Sequence, residues 1–144
     1  MYSTLNLLHS YWAYLTLFML LIAVLNALNG YFNNKEFNLT KDFRISLFAL
    51  IFTHIQLVLG LLLYFTSPYF ASWQAGGVMG DSFLRLVLVE HPFINLIAVA
   101  LITIGWSKHK KVLEAKPKFK RIAIGYGIGL ILILLRIPYM IWFD

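Results

Sequence analysis

The chain has 144 residues, 60% of them hydrophobic and only 12% charged, with a mean hydropathy of +0.77. A soluble domain of this size cannot hide that much apolar surface in one core, so the composition points to a polytopic membrane protein. The net charge of +6 sits beside apolar runs, which fits a membrane surface rather than nucleic acid, and the lack of cysteine excludes disulfides, thiolate zinc sites, iron–sulfur clusters and haem attached through C-x-x-C-H.

Four apolar runs predict helices at about 5–29, 43–66, 83–107 and 121–142, each long enough to cross roughly 30 Å of hydrocarbon at 1.5 Å per residue. The connectors are short, and there is no internal repeat beyond the helical span itself. The expected architecture is all-α: one membrane domain over 1–144, a polytopic transmembrane four-helix bundle.

No basic segment or small-residue cleavage site precedes the first run, so it is expected to be retained. His9 stands about 6 Å below its outer end by helical count. Its face continues through Ala13, Thr16, Leu20, Ala23 and Ala27, a small and partly polar stripe suited to close packing or to a flat ligand. An interfacial histidine bonded to water or a carbonyl is the plainer alternative.

In the second run, His54 falls near the bilayer midplane among Leu47, Leu50, Leu57 and Leu61. An imidazole there needs a partner, and a polar link between helices is the simple reading. Gln56 points elsewhere and is available to bond another helix. The connector SPYFASWQAGGVMGDS is expected to lie along the outer surface, with Asp81 or Ser82 capping the third helix.

The third run contains Arg85 and then Glu90, His91 and Pro92, with His91 about 12 Å deep. Pro92 frees the Leu88 carbonyl and is expected to kink the helix. A helix starting afresh at Pro92, capped by His91, would reach only about 24 Å by Ser107, too short for a bilayer. A continuous, kinked span with an inward imidazole is therefore the expectation. His109, among lysines, reads as a surface residue.

In the fourth run Gly125 and Gly129 form a G-x-x-x-G pair, whose ordinary meaning is helix packing and whose other meaning is a groove without side chains. No strand precedes this GYGIG segment, which excludes a dinucleotide loop. Arg136 shares that face and needs an anion, either Glu90 or a ligand carboxylate.

Charge sets the expected orientation. Lys35, Lys41, Arg44, Lys108, Lys110, Lys111, Lys116, Lys118, Lys120 and Arg121 flank the first and third connectors, whereas only Arg85 and Arg136 lie toward the other side. The positive-inside rule places both termini outside. Tyr2, Tyr11, Trp12, Tyr69, Phe70, Trp73, Tyr139, Trp142 and Phe143 read as an outer interfacial belt.

Two inward histidines on different helices suit axial ligation of haem b, because two imidazoles saturate the iron and leave it to shuttle electrons. Small residues make room for the macrocycle, and Arg85 and Arg136 are placed to neutralise its propionates. Heights favour His9 with His91; His54 with His91 is the second pairing.

The segments LLHSYW, FTHIQLVLGLLLYFTSP and LVEHPFINLIAVALITIGWSK resemble those of small four-helix bacterial membrane proteins described as cytochrome b, loosely similar to cytochrome b561. The resemblance implies haem b, electron transfer in a bacterial inner membrane, and His9, His54 and His91 as the matching histidines. A two-haem pattern needs a further pair toward the cytoplasmic side, where this chain has Trp106, Asn26 and Asn29. One haem is expected, and a second is in doubt. A quinone or a protein is the expected redox partner, with membership of a larger complex or a homo-oligomer also open. The competing classes are a non-catalytic accessory or assembly subunit and a small proton relay; the absence of an inverted repeat argues against the latter.

Overall fold

The structure is a computed structural model that describes residues 1–142. Phe143, assigned above to the aromatic belt, lies outside the described residues. The described chain is helical, without strands: α1 (Tyr2–Phe32), α2 (Asp42–Thr66), a short α3 (Ser72–Ala75), α4 (Ser82–Arg85), α5 (His91–His109) and α6 (Ala115–Leu135). A π-helical turn, Leu86–Glu90, joins α4 to α5, so the third element runs unbroken from Ser82 to His109. The Asp81 carboxylate caps its start, accepting from the Phe83 and Leu84 amides at 3.0 Å each.

Tyr2–Phe32, Asp42–Thr66 and Ser82–His109 are each long and apolar enough to cross a membrane. They turn large apolar side chains outward: Phe18 is 60% exposed and Phe93 65%. Outside a lipid solvent these surfaces would be a heavy liability.

The fourth element departs from expectation. α6 begins at Ala115, not near 121, because Pro117 in its first turn needs no amide hydrogen bond there. It stops at Leu135, since Pro138 disfavours helical geometry in the residue before it and offers no N–H. The run 121–142 is therefore a helix followed by a bend and a 3₁₀ turn, Tyr139–Ile141, rather than one continuous helix.

α1 packs on α2 and α6, and α5 packs on the same two, closing a ring. Both connectors 33–41 and 110–114 lie at one end, where Lys116 Nζ donates to Asn34 Oδ1 at 3.3 Å. At the other end the 3₁₀ turn folds against α1: Trp142 Nε1 donates to the Ser10 carbonyl at 3.2 Å, and the Ser10 hydroxyl donates to the Trp142 carbonyl.

The solid core fills the basic half, with Leu20, Ala27, Ala49, Ile102, Phe119 and Tyr126 out of solvent contact and the Tyr126 hydroxyl bonded to the Ser46 carbonyl at 2.7 Å. Close helix contact is required here. A Cβ on Gly125 would meet the Leu101 carbonyl at 2.8 Å and Gly105 Cα at 2.9 Å.

His109 corrects the expectation of a surface residue. It is fully buried, its ring packed among Phe37, Phe43 and Trp106, and its Nδ1–H is directed at the Trp106 carbonyl. Trp106 and the two phenylalanines cover it more completely than neighbouring lysines in the sequence imply.

Candidate functional site

The other half of the bundle is not solid. A cavity of about 170 Å³ lies between α1, α2, α5 and the segment after α6, and His9, Gln56, Gly60, His91 and Asn95 are among its walls. Small residues at Ala13 and Gly60 leave the space, and Leu57, Leu61, Val99 and Ile133 make it apolar.

Two imidazoles in its walls meet edge to face. The His9 and His91 ring centroids are 6.3 Å apart, with planes at 82°. His91 is oriented by its own helix and by the end of α6. Its Nδ1–H donates to the Arg136 carbonyl at 2.8 Å, a carbonyl left without a helical partner because α6 ends there. With the proton on Nδ1, Nε2 carries the lone pair and is the nitrogen able to bind a metal. Asn95 Nδ2 donates to the His91 carbonyl at 2.6 Å and steadies the same turn.

His9 is placed by α2. Gln56 Nε2 donates to the His9 carbonyl at 2.9 Å, as expected of a side chain that bonds another helix. Trp12 Nε1 donates to the Phe52 carbonyl at 3.0 Å. The His9 ring lies over Gly60, where a Cβ would approach Cε1 to 3.1 Å. His9 Nδ1 is buried and has no hydrogen-bond partner among the described residues.

The residues fit a metal group held by two imidazoles on three counts. Metal–nitrogen bonds of about 2 Å, with about 1 Å more to each ring centre, put two trans imidazoles roughly 6 Å apart, close to the 6.3 Å found. One imidazole presents Nε2 as a lone pair, and the other has an orphaned buried nitrogen. Gly60 forms a cradle that any side chain would fill. Among the described residues no set of three or more His, Cys, Asp or Glu is placed to hold a metal, and a bis-imidazole site needs only two ligands.

Room is the tighter condition. About 170 Å³ suits a benzene-sized body. A larger flat ligand must part the seam between α2 and α5, where the packed helices touch least. Tyr64 bridges that seam at one level, its hydroxyl donating to the Leu88 carbonyl at 2.9 Å; His54 bridges it at another.

The sequence-derived candidates separate into two groups. His9, His91, Arg85 and Arg136 come together with Glu90 at one end. Glu90 binds both arginines, Oε2 with Arg85 Nε at 3.0 Å and Oε1 with Arg136 Nε at 3.4 Å. These three side chains stand beside the cavity without lining it. Among the described residues, two guanidiniums against this one carboxylate leave a single positive charge in excess.

His54, Gly125 and Gly129 lie elsewhere. His54 is on the outer surface of α2, its Nδ1–H donating to Leu50 O at 2.8 Å and its Nε2 meeting the Thr103 hydroxyl at 3.4 Å. That is the interhelical link, and it does not line the cavity. Gly125 and Gly129 face Gly105 and Ile102 of α5, so their groove is filled by protein. Gly60 and Tyr64 were not singled out from sequence. The signal for Tyr64 was the carbonyl that Pro92 frees; a single glycine in an apolar run carries no signal of its own.

No protein-family model, curated protein or solved structure matches the chain.

Proposed function

We propose that this chain is an integral membrane cytochrome that binds one haem b through His9 and His91 and carries electrons in a membrane redox chain. The observation that carries the reading is the pair of perpendicular imidazoles, 6.3 Å apart, in the wall of an apolar cavity. His9 and His91 would hold the iron of a haem b, which when bound would supply one-electron chemistry. The chain's own residues bind and orient. The Arg136 carbonyl holds the His91 tautomer, Gln56 anchors the backbone of His9, Gly60 leaves space, and the aliphatic walls exclude water. The excess positive charge beside Glu90 has the right sign for a propionate.

In this reading α6 is the fourth crossing, its cationic first turns lying in the headgroup region and both chain ends on the outer side of a bacterial inner membrane. The electron partner is a quinone or another protein.

A second reading has observations of its own. Both candidate arginines are already paired with Glu90, and His54 is committed to Leu50 and Thr103. These are features of a bundle built for stability, as in a non-catalytic accessory or assembly subunit. A reduced-minus-oxidised optical spectrum of the purified protein separates the two. A low-spin b-type difference spectrum at close to one haem per chain is expected, and a chain expressed in haem-replete cells that shows none is the accessory subunit.

A further inference from the structure

The basic end of the bundle carries a second concave site, independent of the haem reading. An open groove of about 420 Å³ lies between the last turn of α1 and the first turns of α6, walled by Tyr31, Lys116, Lys120, Arg121, Ile124 and one acidic residue, Glu114. The three cations against Glu114 leave the groove net positive. Its shape is held by contacts of α6 with the end of α1 and with α5. Lys116 Nζ sits 4.9 Å above the Tyr31 ring and donates to Asn34 Oδ1 at 3.3 Å, while Arg121 donates to the Lys108 carbonyl at 2.9 Å.

The charged groove runs directly into an apolar stripe. Lys116, Lys120, Ile124, Ile128 and Ile131 follow one another at helical spacing, so a single face of α6 changes from cationic to aliphatic along its length. Ile124 is 51% exposed, Ile128 46% and Ile131 59%. A soluble phosphate compound would use the cations and leave the isoleucines bare. A molecule with an anionic head and an aliphatic tail covers both.

We propose that the groove formed by Tyr31, Lys116, Lys120 and Arg121 is a binding site for the phosphodiester headgroup of an anionic membrane phospholipid, whose acyl chain lies along Ile124, Ile128 and Ile131. Basic pockets between membrane helices bind such headgroups through charge that a zwitterionic lipid offsets internally. Glu114 opposes the phosphate and sets an upper limit on affinity.

Native mass spectrometry of the full chain in detergent, with phosphatidylglycerol or phosphatidylcholine added, tests this. Phosphatidylglycerol is expected to form a one-to-one adduct in clear preference to phosphatidylcholine. Replacing Lys116, Lys120 and Arg121 together by Gln is expected to reduce that adduct by about tenfold or more. Replacing Lys108, Lys110 and Lys111 by Gln is expected to change it less than about twofold. Glu114→Gln is expected to increase retention and keeps the test valid if the triple variant folds poorly. Excess inorganic phosphate is expected to leave the adduct in place. Equal retention of the two lipids, no gain with Glu114→Gln, equal losses in the two triple variants, or displacement by inorganic phosphate would each overturn the proposal.

Discussion

The Tyr64 hydroxyl donates to the Leu88 carbonyl at 2.9 Å, across the seam between α2 and the third element. Pro92, four residues beyond Leu88, has no N–H to give that carbonyl, so a side chain from another helix fills the place. The second proline break is answered in the same way: Pro138 cannot reach back to Leu134, and the Tyr139 hydroxyl donates to the Leu134 carbonyl at 2.9 Å. Trp73 Nε1 in turn donates to the Tyr64 oxygen at 2.9 Å, tying the connector between α2 and α4 to the same point.

If Tyr64 exists to satisfy that carbonyl, its value depends on Pro92. Tyr64→Phe is expected to lower stability by about 1 kcal/mol, a usual size for a hydrogen bond between membrane helices. In a Pro92→Ala background the backbone regains a donor, and the same substitution is expected to cost appreciably less. Denaturation midpoints of the four variants form a double-mutant cycle; strictly additive costs would show that the bond does not serve the proline break.

The haem reading makes an asymmetric prediction for the histidines. His9→Ala and His91→Ala are each expected to abolish the low-spin optical signal, whereas His54→Ala, altering an exposed link between helices, is expected to keep it. Gly60→Val is expected to lower haem content as His9→Ala does, since a Cβ alone already approaches His9 Cε1 to 3.1 Å. A normal spectrum from His91→Ala, or its loss in His54→Ala alone, would reverse the ligand assignment.

Glycines in α6 are expected to respond according to what stands opposite them. At Gly125 an added methyl meets backbone atoms of α5 at 2.8 and 2.9 Å, and backbone cannot swing aside. Gly125→Ala is therefore expected to cost about 1–3 kcal/mol in detergent unfolding. At Gly127 the nearest atom is Val24 Cγ1 at 4.0 Å, so Gly127→Ala is expected to be neutral or to stabilise by up to about 1 kcal/mol through helix propensity. Similar costs at both sites would mean that α5 and α6 are not in backbone contact.

Membrane sidedness is testable with cysteine labelling, because the native chain has none. A cysteine at Ser72, in α3 at the aromatic end, is expected to react with an impermeant reagent applied to intact cells. One at Lys116, at the basic end, is expected to react only after the membrane is opened. Labelling of Lys116→Cys from outside would invert the orientation.

Much of this molecule is written locally. Continuous apolar runs long enough for lipid give the three long helices, because backbone groups in hydrocarbon must pair within their own segment. The cap at Asp81, the continuity of the third element through Pro92 and the reach of Gln56 to another helix follow from side-chain chemistry at known spacings. The nearness of His9, His91, Glu90 and Arg136 was also legible, since by helical count all four fall in the half of the bundle away from the basic connectors. What the chain could not express one segment at a time was direction around each helix axis. Only packing turned His54 to the exposed surface and His109 into an aromatic core, and only the ring of contacts pressed Gly105 against Gly125, so that the glycine pair serves helix packing and not a groove. The end of α6 depended on both levels. Pro138 dictates that the helix stop, but it took the tertiary fold to bring the released Arg136 carbonyl to His91, where it decides which nitrogen of that imidazole is free.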